Sequence, residues 1–153
     1  MTPEAKVAEL GLDIPVTFRP AGTYVNAVRS GNLLFLAGHV PYRADGSLVI
    51  GKLGAGMEIA EGKNAARLAA LGVLATLREE LGTLDRVVRI VNLNGLVNAT
   101  PEFVAHTLVI NGASDLLVEV FGQAGQHARL AVGVSSLPAG MALEIQVTVE
   151  IKA

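Results

Sequence analysis

From Leu143 to Ile151 apolar and polar residues alternate without a break. Leu143, Ile145, Val147, Val149 and Ile151 interleave with Glu144, Gln146, Thr148 and Glu150. Side chains of a strand point alternately to its two faces, so this stretch predicts a strand with one buried face. Such a strand needs partners beside it and a layer over its apolar side. Just upstream, Arg129 to Ser135 reads with the same period. Arg129, Ala131, Gly133 and Ser135 share one face, and Leu130, Val132 and Val134 the other. Between the two stretches, Leu137-Pro138-Ala139-Gly140 interrupts the pattern: proline lacks a donor and glycine tolerates unusual φ.

The first of these faces sets one guanidinium among very small side chains, which leaves room for something that is not protein. Arginine stays charged and offers a planar fork that grips a carboxylate with two hydrogen bonds. Glu144 is placed to direct a water or move a proton. A lone Arg at a strand start also fits a surface ion pair, and a lone Glu fits the wet face of an amphipathic strand. A simple hairpin through Pro138-Ala139 would set Glu144 opposite Gly133, roughly 13 Å of strand from Arg129. Either a bulge shifts the register, or the two residues meet a ligand from different directions or different subunits.

The rest of the chain reads as α+β. Pro3 to Leu10 forms a short helix behind Thr2, within a lead-in over residues 1–20 that reads as a packing appendage. Val25 to Pro41 reads as a hairpin turning at Ser30-Gly31-Asn32, and the apolar run Leu33 to Ala37 predicts burial on both faces. Gly51 to Gly56 is a loop whose glycines fit no phosphate-binding spacing. Glu58 to Leu81 is a helix with Ala70, Leu74, Leu77 and Leu81 as its core stripe, stopped by Gly82. Arg86 to Val97 is a strand. A helical segment opens at Thr100-Pro101, breaks at Asn111-Gly112, restarts at Ser114 and ends at Gly122. The break would carry Asn111 into a cleft or be a local kink. The order predicts a mixed sheet with helices over one face.

Composition narrows the function. Lys and Arg number 12 against 14 Asp and Glu, aromatics are 4%, and Trp is absent. A nucleic-acid binder wants a basic stripe and stacking rings, so this composition weighs against RNA cleavage. With no Cys there is no disulfide, thiolate site or Cys nucleophile. His39, His106 and His127 show no ligand spacing, so no metal site is expected. No run approaches a membrane span and no signal peptide is apparent, so a cytoplasmic protein without membrane partners is expected. At 153 residues and 51% hydrophobic, one domain spanning 1–153 is expected, more apolar than it needs alone. Burial of that surplus against further subunits follows.

Arg129-x-x-Val132-x-Val134-x-x-Leu137-Pro138, followed by Leu143-Glu144-Ile145, resembles the C-terminal motif of the Rid/YjgF family. Its best-known members are enamine/imine deaminases, also called endoribonucleases of the L-PSP type. Gly22-Thr23-Tyr24 through Gly38-His39-Val40-Pro41 resembles the family's N-terminal hairpin. The resemblance implies a chorismate-mutase-like fold, a homotrimer with a ligand cleft at each subunit interface, and no metal or organic cofactor. It implies that Arg129 binds the substrate carboxylate, Glu144 handles the hydrolytic water, Tyr24 lines the cleft and backbone near Gly38 holds the ligand. Asn111 matches a cleft Asn, and His127, two residues before Arg129, joins the binding candidates. Two departures stand out. Ala37 takes a position where the deaminases often carry Ser. The segment from Asn98 to Gln126, with Asn111-Gly-Ala-Ser-Asp-Leu-Leu and Gly125-x-His-Ala-Arg, resembles a less characterised branch. The leading expectation is hydrolysis of 2-enamine or 2-imine intermediates to 2-oxo acids. A non-catalytic binding protein for a small carboxylate comes second and an endoribonuclease third.

Overall fold

The computed structural model describes residues 1–153. Its elements in chain order are α1 (Pro3–Glu9), β1 (Ala27–Ser30), β2 (Leu33–Leu36), β3 (Lys52–Leu53), β4 (Gly56–Met57), α2 (Ile59–Leu81), β5 (Val87–Asn98), α3 (His106–Phe121), β6 (Ala128–Val134) and β7 (Leu143–Ile151). The five long strands form one mixed sheet in the order β1-β2-β7-β5-β6, and β3 pairs with β4 apart from it.

The alternation in β7 does what its pattern requires. Leu143, Ile145, Val147, Val149 and Ile151 are buried, while Gln146 is exposed and Glu144, Thr148 and Glu150 are half-buried. The buried side lies under α2, and α3 covers the neighbouring β5 and β6. Both helices show why they sit there. α2 covers the core with Ala65, Ala66, Ala69, Ala70, Val73, Leu74 and Leu77, mostly small side chains that let a helix come close. It starts on Glu58, whose N–H donates to Glu61, and stops at Gly82, which takes the left-handed φ of 79°.

Four expectations are corrected. First, α3 runs unbroken through Asn111-Gly112. A Cβ on Gly112 would stand 1.9 Å from the carbonyl oxygen of Lys63, so this glycine marks the closest approach of α3 to α2 rather than a break. Second, α3 begins at His106. Thr100 to Ala105 form a turn ahead of it, tied by Thr100 N–H to Leu53 O at 3.0 Å. Third, β2 is buried on one side only: Leu34 and Leu36 are inside, while Phe35 is 45% exposed. The helices occupy a single face, so the other stays open. Fourth, the simple hairpin weighed as one arrangement of the last two strands does not form. β5 lies between them, parallel to β6 and antiparallel to β7.

The open face collects apolar residues. Val28, Phe35 and Leu130 are exposed there, beside half-buried Leu96 and Val132. No helix of the chain is long and apolar enough to cross a membrane.

Candidate active site

The register settles where the two charged candidates stand. On β5, Leu93 pairs with Arg129 on one side and Val147 on the other, and Leu96 pairs with Val132 and Glu144. Paired residues share a face, so Arg129 lies on the helix side with buried Leu93 and Val147. Glu144 lies on the open side with Leu96. Three residues of β5 and two strand spacings separate them, about 10 Å along and about 10 Å across. Within one chain they do not meet.

Arg129 sits on the edge strand β6 and reaches over α3. Its Nη1 donates to Asn111 Oδ1 at 2.7 Å and to Ser114 Oγ at 3.2 Å, and its Nη2 donates to Thr107 O at 3.4 Å. Thr107, Asn111 and Ser114 recur at helical spacing along one stripe of α3, which turns the three toward the same strand edge. The Nε–H makes no hydrogen bond within the chain, which leaves that edge of the guanidinium able to donate to a carboxylate. His127 stands behind this group. Its Nδ1 lies 2.6 Å from Gly125 O and its Nε2 2.9 Å from Ser114 Oγ. The carbonyl can only accept, so Nδ1 donates to it, and Nε2 shares the second hydrogen bond with the Ser114 hydroxyl. Both ring nitrogens are then occupied, and His127 acts on Arg129 through Ser114. Ser114 was missed from the sequence, its i, i+3 spacing from Asn111 being the available signal, while Thr107 contributes only a backbone carbonyl that no residue type announces.

Glu144 has the opposite surroundings. No hydrogen bond or ion pair holds its carboxylate, and burial pushes its pKa above the usual carboxylate range. It lines a cavity of about 680 Å³ together with Tyr24, Ala37, Gly38 and His39. A Cβ on Gly38 would fall 1.9 Å from Glu144 Oε1, so the carboxylate occupies the space a side chain would take. Tyr24 is held by its hydroxyl, which accepts from Ala21 N–H at 3.2 Å. His39 bridges β7 and α2. Its backbone pairs with Ile145, its Nδ1 lies 2.7 Å from Ala37 O and its Nε2 2.7 Å from Thr76 Oγ1. Burial lowers its pKa, so the ring is neutral and fixed as a strut under Ala37-Gly38. No three His, Cys, Asp or Glu side chains are grouped so as to hold a metal ion.

The six residues singled out in the sequence therefore fall into two groups. Arg129, Asn111 and His127 stand together at the β6 edge. Glu144, Tyr24 and Gly38 stand together in the cavity beside β2 and β7. Chemically, the first group can bind an anion, and the second can shelter and move a proton.

The comparisons with known proteins agree with this architecture. Residues 4–149 match the family described as "YjgF/chorismate_mutase-like, putative endoribonuclease". Protein TCP17 of Trypanosoma cruzi is 45% identical over 148 residues, covering 96% of this chain and 92% of that protein. The crystal structure of Atu1372 from Agrobacterium tumefaciens, of unknown function, is 40% identical with a TM-score of 0.90, covering 99% of this chain and 93% of that one. A Shewanella oneidensis MR-1 structure bearing the same endoribonuclease designation is 34% identical with a TM-score of 0.94, covering 99% and 100%. The chain belongs to the YjgF family.

Proposed function

We propose that this chain hydrolyses 2-imino acids to 2-oxo acids and ammonia, in a site completed between subunits of a homotrimer. The observation that carries the reading is the pairing of two incomplete half-sites. One is an arginine held in place with its Nε–H still free; the other is an unpaired carboxylate in a cavity. They lie on opposite faces of one sheet, and the open face bears exposed Val28, Phe35 and Leu130 that a neighbouring subunit would cover. A head-to-tail ring brings the β6 edge of one subunit to the Glu144 cavity of the next.

The chemistry balances as R–C(=NH2⁺)–COO⁻ plus water giving R–CO–COO⁻ plus NH4⁺. Arg129 fixes the carboxylate and so orients the adjacent C=N carbon. Glu144 takes a proton from water as its oxygen attacks that carbon, and the C=N π pair moves to nitrogen. The proton then passes from Glu144 to the nitrogen; ammonia leaves as Glu144 takes the hydroxyl proton and the C=O forms, and that proton goes on to the ammonia to give NH4⁺. A base with a raised pKa suits this exchange, since it must both accept and return the proton near neutral pH.

The experiment is an imine-trapping assay. An amino-acid oxidase generates 2-imino acids in situ, and semicarbazide captures what survives. The wild type should lower the trapped product, and Arg129→Ala should not. No effect across small, branched and aromatic imines, with 2-oxo acids still bound through Arg129, would replace catalysis by carboxylate binding alone.

A further inference from the structure

The cavity around Glu144 is larger and more aromatic than a small imino acid needs. The chain has only four Phe and two Tyr, and no Trp. Both tyrosines and Phe18 line this one cavity. Phe18 and Tyr42 stack with ring centroids 3.8 Å apart and 23° between planes. Phe18 comes from the segment before β1, which also supplies Val16, Thr17 and Arg19 to the wall. That segment is tethered: Asn26 Nδ2 donates to Phe18 O at 2.9 Å, so the wall is fixed to the start of β1. The lining also includes the small residues Ala37, Gly38 and Gly72. Where Ala37 stands, a serine would add a hydroxyl. The cavity thus gathers three rings and several small residues beside Glu144.

We propose that the lead-in segment around Phe18 makes this site selective for 2-imino acids with an aromatic side chain. The inference rests on the deaminase reading for the reaction but not for binding. Aromatic side chains gain from ring–ring contact beyond their buried area, which favours an aromatic ligand over a short aliphatic one of the same head group. Arg19 lines the wall too, so a ligand with a distal carboxylate is the competing outcome.

The test is calorimetric binding of phenylpyruvate, 2-oxobutyrate and 2-oxoglutarate to the full chain. Phenylpyruvate should bind about tenfold tighter than 2-oxobutyrate. In Phe18→Ala that ratio should fall to about threefold or less, and Phe18→Leu, which keeps most of the volume without the ring, should lie between. Circular dichroism confirms that both variants fold. An equal affinity for the two ligands, a ratio unmoved by Phe18→Ala, tightest binding of 2-oxoglutarate, or no binding at all would each overturn the proposal. Ring-selective binding without imine hydrolysis would leave this inference standing and remove the deaminase reading.

Discussion

The two halves of the candidate site solve opposite electrostatic problems. Arg129 is held by Asn111, Ser114 and a backbone carbonyl, with His127 bracing Ser114 from behind. Glu144 has no partner and sits where burial penalises its charge. A permanent cation gains from being fixed, because its task is to hold a carboxylate in one orientation. A carboxylate that must exchange a proton gains from being left unpaired, because a hydrogen-bonded or salt-bridged acid has its pKa lowered. Glu4 shows the alternative in the same molecule. Arg78 binds it at 2.6 and 3.1 Å, Leu84 N–H donates to it, and its pKa is lowered. That carboxylate docks α1 and is unsuited to proton transfer.

This contrast can be broken at either end. The largest effect is expected for Glu144→Gln, which keeps the shape and removes the base: imine hydrolysis should fall roughly 10³-fold with ligand binding retained. Steady-state kinetics on the trapped-imine assay reads both. Next comes Gly112→Ala, which places a methyl against the Lys63 carbonyl and should destabilise the fold by roughly 3 kcal/mol in urea unfolding. It tests whether the Arg129 end depends on the close approach of α3 to α2. Gly38→Ala should do the reverse, costing little stability because the displaced group is the end of a flexible side chain. Its rate should nevertheless drop on the order of 10²-fold as Glu144 is pushed aside. Asn111→Ala should raise KM about tenfold through a looser Arg129, with kcat less affected.

The smallest effect is on stability against pH. Burial raises the folded pKa of Glu144, so the folded chain keeps a proton that the unfolded chain releases. The stability this group contributes is present at low pH and lost as pH rises through the folded value. Glu144→Gln lacks that loss. Its Tm should exceed the wild type's at about pH 8 and approach it at about pH 4. A mutant less stable than wild type at the higher pH would mean that Glu144 has a partner in the assembled protein.

Much of this was legible in the sequence where the physics is local. The β7 alternation, the α2 stripe and the Gly82 and Gly122 stops depend on residues a few positions apart, and each appears where read. Arg129 and Glu144 stand out because charge among small or apolar neighbours is itself a local pattern, whereas Asn111 was singled out by the family resemblance and by a helix break that α3 does not have. Two things were hidden. The insertion of β5 between β6 and β7 is a long-range pairing, which no strand pattern encodes, so the sequence left open how the last two strands are arranged. Gly112 carries one residue's worth of signal for two opposite meanings, a broken helix or a helix crossing, and only the neighbour at Lys63 decides. Phe18 was unreadable for the same reason: its partner Tyr42 lies across the β1–β2 hairpin.

The central claim is that Arg129 and Glu144 work together from different subunits. Arg129→Ala and Glu144→Gln chains, each inactive alone, can be mixed by co-expression or joint refolding and assayed for imine hydrolysis. In a randomly mixed ring, about a quarter of the interfaces join an intact Arg129 to an intact Glu144, so about a quarter of wild-type activity should return. If the mixture stays as inactive as its components while mixed oligomers are shown to form, the two residues do not share a site across subunits.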